Sequence, residues 1–450
     1  MQTSGVKFGT SGARGLVSSM TDRVCAAYTV AFLQHLEKCE CSHKGDRVAI
    51  AGDLRASTKR IMQAVSSAVS ARGYIPVSCG RIPSPAVALY GLQEAIPAIM
   101  VTGSHIPDDR NGIKFNGPKG EILKEDEASM CNQVVELSAK YDSNGSLVDP
   151  PAEVGEQNAA RNAYKSRFFN AFPKDLLTGK RLGLYAHSAV GRDIMQEIYE
   201  GLGARVTRLA DSETFIPVDT EAIRPEDVAL AAQWSREHAF DAIVSTDGDG
   251  DRPLLADEQG KWMRGDVVGI VCARQLGADV VVTPVSCNTA VEACGAFSRV
   301  VRTRIGSPYV VAAMQKAVRD GAERVMGYEA NGGFLTASSI STPFGKLSPL
   351  PTRDAALVHL AVLWASVSTG RRVSQLLGDL PPRFTWSDRI KSFPTEVSQG
   401  RLNELRDGGT SAIEAAFGQF GLLDKVDFTD GMRMTFSNGS IVHIRASGNA

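Results

Sequence analysis

Three times along this chain of 450 residues, strand-like and helix-like runs alternate and the third strand of the set ends in a loop of small and polar residues. In the first unit, Arg47 to Ala51 leads through a helix at Ile61 to Arg72 into a strand at Tyr74 to Cys79. A short helix and the strand Ala98 to Val101 follow, ending in Thr102-Gly103-Ser104-His105. The second unit runs from Arg181 to Tyr185 through helices at Asp193 to Gly201 and Glu226 to His238. Its last strand, Asp241 to Ser245, ends in Thr246-Asp247-Gly248-Asp249-Gly250-Asp251. The third starts at Asp279 to Thr283, has helices at Ala290 to Phe297 and Tyr309 to Asp320, and ends in Tyr328-Glu329-Ala330-Asn331-Gly332-Gly333. Alternating strands and helices predict three related α/β domains with mixed, mostly parallel sheets. Open α/β sheets bind ligands outside the carboxyl ends of their strands, so three such loops are expected to face one cleft.

From about residue 375 the pattern changes. Pro381-Pro382 precede a strand expected at Phe384 to Lys391, then helices at Arg401 to Arg406 and Ser411 to Phe420. Asn438-Gly439 between strand-like runs is a strong hairpin signal, so this part reads as a small α+β domain. Linkers at Asp149-Pro150-Pro151, near Asp257 and near Thr369-Gly370 divide the chain into 1–150, 151–257, 258–372 and 373–450.

Composition narrows the function. Lys plus Arg number 49 against 50 for Asp plus Glu, which provides no global field to hold a polyanion, so no nucleic-acid partner is expected. The N-terminus carries no basic region followed by an apolar run, and no stretch of 18 apolar residues occurs. Eight scattered cysteines match reduced usage, and Cys39 with Cys41 forms a lone pair read as a surface loop. These readings point to a cytoplasmic protein without a membrane partner. Neither a Walker A sequence nor a G-x-G-x-x-G run opening a helix is present, against an NTPase or a dinucleotide enzyme.

Asp247, Asp249 and Asp251 alternate with glycines, so three hard oxygen ligands reach one side of a tight loop, a donor set that suits Mg²⁺. An EF-hand also begins with alternating acids, but Arg252 stands where that loop needs glycine, and a strand precedes it. A solvated acidic turn is the bland alternative. Ser104 beside His105 at a strand end reads either as a polar turn or as a reactive hydroxyl, and Lys114 adds a cation ten residues on. Thr10-Ser11-Gly12-Ala13-Arg14 packs small residues around one guanidinium, an arrangement that suits an oxyanion. Glu329 and Asn331 offer a carboxylate and an amide to vicinal hydroxyls. Arg445-Ala446-Ser447-Gly448-Asn449 forms a second candidate phosphate cradle.

Taken together and in this order, the loops resemble the α-D-phosphohexomutase superfamily, over essentially the whole chain from Phe8 to Asn449. The resemblance implies three related α/β domains and a C-terminal α+β domain like the TATA-binding protein, continuing beyond Ala450 with another strand and helix. It implies a Mg²⁺-dependent isomerase that moves phosphate between O6 and O1 of a hexose phosphate through a bisphosphorylated sugar. By this resemblance Ser104 is the phosphoserine, and Asp247, Asp249 and Asp251 bind Mg²⁺ with the Ser104 phosphate completing the set. Arg14 and Lys114 are cations beside it, with Lys114 or His105 assisting proton transfer. Thr10, Ser11, Arg252, Gly306, Ser307, Glu329, Asn331 and Gly332 contact substrate, as do Arg445, Ser447, Gly448 and Asn449 at the distal phosphate. Glucose 1,6-bisphosphate or mannose 1,6-bisphosphate is the implied primer, and a monomer or small homo-oligomer the implied assembly. Asn331 stands where the family usually has Ser, and Gly306-Ser307 where it often has Gly-His, so the general base is left open. Ser11 and Ser447-Gly448-Asn449 depart from the phosphoglucosamine branch and point to mannose first, glucose next. A sugar-phosphate-binding protein without activity and a Mg²⁺-dependent phosphatase are the alternatives.

Overall fold

Each repeat folds into a sheet with one and the same strand order. In the first, Arg47–Gly52 lies between Ile75–Arg81 and Ala98–Val101, both parallel to it, and Arg110–Gly117 pairs antiparallel with Ala98–Val101. In the second, Arg181–His187 lies between Arg205–Asp211 and Ala242–Thr246, with Pro253–Ala256 antiparallel outside. The third repeats this with Val280–Pro284, Arg299–Thr303, Val325–Tyr328 and Phe334–Thr336. The computed structural model describes every residue except Gln2, Thr10, Ser11, Arg389, Lys391, Ser392 and 447–450.

The antiparallel fourth strands were not among the expected elements. Two of them have only four and three residues, too short to show a period of two. Their consequence is large, because each polar loop becomes the turn between a buried parallel strand and its antiparallel neighbour, tied at both ends. In the first sheet, Ala13–Leu16 also pairs with Arg110–Gly117, setting Arg14 opposite Gly112. The N-terminal loop is thereby carried next to Ser104.

One continuous apolar core runs through the three repeats. The helix Ala355–Thr369 joins it, with buried residues from Ala355 to Ser366 on all its sides, the pattern of a helix enclosed by protein. Asp354 caps it, its carboxylate accepting the Leu357 N–H at 3.3 Å. Within this helix His359 is held in a single neutral form. Tyr199 O–H donates to its Nδ1 at 2.7 Å, and its Nε2–H donates to Leu254 O at 3.0 Å. Burial pushes the His359 pKa down to about 3. The unfolded chain takes up a proton below about pH 6.5 and the folded chain does not, so stability is lost as pH falls from there towards 3. Urea denaturation should register a loss of about 2 kcal/mol from this residue between pH 6.5 and pH 5. His359→Gln should lack that component, and identical pH dependence in both proteins would refute the assignment.

The last unit has its own small core of Leu402, Ile413, Met432, Met434 and Phe436. Leu423–Asp427, Met432–Phe436 and Ile441–Ile444 form its antiparallel sheet, covered by helices Thr395–Asp407 and Gly409–Phe417. The Asn438-Gly439 hairpin forms as expected. No strand forms over 384–388, where Phe384 and Trp386 are 94% and 82% exposed; the two preceding prolines donate nothing to a ladder, and no described strand pairs with this segment, while Arg389 and Lys391 lie outside the described residues. All eight cysteines are unpaired thiols. Among the described residues no helix is long and apolar enough to cross a membrane.

Candidate active site

The serine loop and the acidic loop meet face to face. Ser104 is fully buried in a left-handed turn at φ 56°, and its Oγ–H donates to Asp247 Oδ2 at 2.6 Å. Asp247, Asp249 and Asp251 are all buried, with one carboxylate oxygen of each within 4.8 Å of the others. Lys114 Nζ, brought in by Arg110–Gly117, donates to Asp249 Oδ2 and Asp251 Oδ2, each at 2.6 Å. Burial together with Asp249 and Asp251 pushes the Asp247 carboxyl well above the usual carboxylate range. Burial acts the same way on Asp249 but is outweighed by Lys114, which holds that carboxyl below its usual range. For Lys114 the order is similar: burial lowers its pKa, and the two carboxylates more than reverse that.

Two carboxylate oxygens, Asp249 Oδ1 and Asp251 Oδ1, are buried with no hydrogen-bond partner among the described residues. Unpaired acceptors beside like charges are costly unless a cation satisfies them, so the donor set fits a divalent ion. On the other side, Arg14 Nε and Arg252 Nε are buried donors that also lack a hydrogen-bond partner among the described residues. Burial and then Arg252 push the Arg14 pKa down to about 10. Buried cationic donors and buried anionic acceptors that lack hydrogen bonds thus stand side by side, with Arg252 Nε 3.7 Å from Asp251 Oδ1, an arrangement that suits an anion and a cation.

His105 is neutral here. Its Nδ1 accepts from Arg252 Nη1 at 2.8 Å and lies 3.3 Å from Ser104 Oγ. Burial, Arg252 and Arg14 hold the ring far below its ordinary pKa. Arg252 in turn lies 3.9 Å from Asp247 and 3.7 Å from Asp251.

The third repeat approaches through Glu329, whose carboxylate takes the Nε–H of Arg353, and Arg353 Nη1 lies 3.6 Å from Asp251 Oδ2. Asn331 turns its Oδ1 to Gly333 N at 2.9 Å, and its carbonyl accepts Thr220 Oγ1 at 2.7 Å. Gly332 completes that turn. Gly306 precedes Ser307, whose Oγ donates to Glu121 of the first repeat at 3.1 Å. Arg445 lies 3.7 Å from Asp430, and both line a cavity of about 450 Å³ with Phe8, Lys124, Arg304, Tyr309 and Arg406. Thr10, Ser11, Ser447, Gly448 and Asn449 lie outside the described residues.

Sequence reasoning missed Arg353, which links the Glu329 loop to the acidic loop, and Ser84. The Ser84 hydroxyl donates to Asp249 Oδ2, and its N–H donates to Asp249 O at 2.9 Å. Ser84-Pro85 reads in sequence as an ordinary helix start, and Arg353 carries no local signal.

Residues 5–141, 161–260 and 264–384 match family models for alpha/beta/alpha domains I, II and III of phosphoglucomutase/phosphomannomutase. The chain is 42% identical over 450 residues to a phosphomannomutase of Salmonella muenchen, covering 99% of this chain and 90% of that one. A phosphomannomutase of Sinorhizobium fredii is 42% identical over 446 residues, covering 99% and 93%. Among solved structures, a phosphoglucomutase/phosphomannomutase family protein from Burkholderia thailandensis superposes with a TM-score of 0.69 at 19% identity, covering 95% and 88%. That likeness concerns the fold.

Proposed function

Because the chain belongs to the phosphoglucomutase/phosphomannomutase family, we propose that it is an isomerase interconverting hexose 6-phosphate and hexose 1-phosphate, with mannose the preferred sugar. The observation that carries this reading is Ser104 in its left-handed turn, hydrogen-bonded to Asp247, beside carboxylate oxygens of Asp249 and Asp251 and guanidinium Nε atoms of Arg14 and Arg252 that have no hydrogen-bond partner among the described residues. In this reading the chain divides into units 1–150, 151–257, 258–372 and 373–450.

In this reading the P–O bond to Ser104 Oγ breaks as a sugar hydroxyl oxygen bonds to phosphorus, and the hydroxyl proton ends on Ser104 Oγ. The resulting bisphosphate turns over, and its other phosphoryl group returns to Ser104. Phosphoryl transfer depends mainly on positioning and on neutralising the transferring group. Arg14 and Arg252 supply donors to that group, and His105 orients Arg252. Asp247, Asp249 and Asp251 would hold Mg²⁺, which when bound adds positive charge beside the transferring phosphoryl group. Lys114 balances the acidic loop, and Glu329, steadied by Arg353, faces the sugar hydroxyls with Asn331 and Gly332. Thr10, Ser11, Gly306 and Ser307 are further substrate contacts in this reading, and Arg445, Ser447, Gly448 and Asn449 take the distal phosphate. Glucose 1,6-bisphosphate or mannose 1,6-bisphosphate serves as primer, and hexose phosphates are the partners.

Specificity constants for mannose, glucose and glucosamine 1-phosphates, each with Mg²⁺ and glucose 1,6-bisphosphate, test the substrate choice. The largest value is expected for mannose 1-phosphate. A larger value for either other sugar would overturn the preference, and no 6-phosphate from any of them would overturn the activity.

A further inference from the structure

Arg55 follows the strand Arg47–Gly52, is 0% exposed, and directs its guanidinium at one loop. Its Nη1–H groups donate to Pro107 O at 2.7 Å and Arg110 O at 2.9 Å. Its Nη2–H groups donate to Ser104 O at 3.0 Å and Ile106 O at 2.5 Å. Nε lies 3.3 Å from Asp53 Oδ2. The same carboxylate oxygen accepts Thr102 Oγ1–H at 2.7 Å, and Thr102 Oγ1 accepts the Ser104 N–H at 2.7 Å. Ser104 is therefore gripped at its carbonyl by Arg55 and at its amide by the Asp53–Thr102 pair. A Cβ on Gly103 would fall 2.6 Å from the guanidinium carbon, so only glycine lets the two approach.

This grip matters because Ser104 is left-handed, a conformation that non-glycine residues hold only where their surroundings impose it. The other face of the guanidinium rests on Phe215 of the second repeat, 3.8 Å from the ring centroid. Phe215 also presses on the acidic loop: a Cβ on Gly248 would meet both the Phe215 ring and Ser104 O at 2.8 Å. One stacked pair thus touches the serine loop and the acidic loop at once.

We infer that Arg55 is a positioning residue for the reaction, holding Ser104 in its turn and, through Phe215, in register with Asp247-Gly248-Asp249. The inference rests on the reading of Ser104 as the phosphoryl carrier. Misplacement of a reacting atom by about 1 Å costs about 100-fold in rate, and a lysine offers no planar fork to four carbonyls.

The test uses the full chain with Mg²⁺, glucose 1,6-bisphosphate and mannose 1-phosphate. Arg55→Lys is expected to lower kcat by about 100-fold, with KM for mannose 1-phosphate within about twofold and the circular dichroism spectrum unchanged. Phe215→Leu, which removes the stack and keeps an apolar side chain, is expected to lower kcat about tenfold with the same KM. A folded Arg55→Lys protein with unchanged kcat, or one that loses only in KM, overturns the inference. Where Arg55→Lys does not fold, Phe215→Leu decides, and an unchanged kcat in it overturns the inference. Ser104→Ala is measured alongside: full activity there removes the Ser104 reading, whatever the Arg55 variants do.

Discussion

Ser104→Ala is expected to lower turnover by at least about 10⁴-fold, because on the proposed reading Ser104 carries the covalent intermediate and its loss removes the whole two-step route. Intact-mass spectrometry of the primed protein should show a phosphate-sized increment that is absent from the variant. The structure explains why no neighbour substitutes for it. Lys114 Nζ is held between Asp249 and Asp251, and His105 Nδ1 accepts from Arg252. The substitution leaves the strands on both sides unaltered but removes the buried donor to Asp247 Oδ2, so a stability loss of about 1–3 kcal/mol is expected with the fold retained. A full-sized increment on another residue would refute the Ser104 assignment.

Lys114→Met is expected to destabilise the protein by about 3–5 kcal/mol in metal-free buffer. Breaking a buried ion pair from one side leaves uncompensated charge, and here one ammonium serves two buried carboxylates. Arg252 at 3.7 Å and Arg353 at 3.6 Å from Asp251 are the other cations within reach, both farther away. A divalent ion bound to the same carboxylates replaces the missing charge, so Mg²⁺ should raise the melting temperature of the variant more than that of the unsubstituted protein. An equal deficit with EDTA and with Mg²⁺ would show that the loss has nothing to do with the charge of the acidic loop.

The fold and the site were legible in the sequence to different depths. Three repeats could be read because the central parallel strands are short apolar runs, the third of each set stopped by a polar loop, and the hydrophobic period survives in the helices between them. The closing strands Pro253–Ala256 and Phe334–Thr336 could not, being too short to carry a period. Ser104 and the three aspartates stood out because each loop is contiguous and its residue types are unusual for a turn. Arg55, Ser84, Glu121 and Arg353 did not, since each acts across the fold: Ser84 meets Asp249 165 positions away, and Ser307 meets Glu121 186 positions away. A sequence motif records what one loop holds, whereas these contacts exist only once the repeats have packed. The strand expected at Phe384 to Lys391 shows the converse over 384–388, an alternating apolar run that joins no sheet among the described residues.

The central claim is that a phosphoryl group on Ser104 passes to the sugar and not to water. Protein carrying ³²P on Ser104, mixed in excess with unlabelled mannose 1-phosphate and Mg²⁺ for a single turnover, tests it directly. The account predicts that the label appears in a hexose bisphosphate and then in hexose monophosphate, leaving Ser104 at the rate of turnover. Label released mainly as inorganic phosphate, or retained on the protein while product forms, would contradict it.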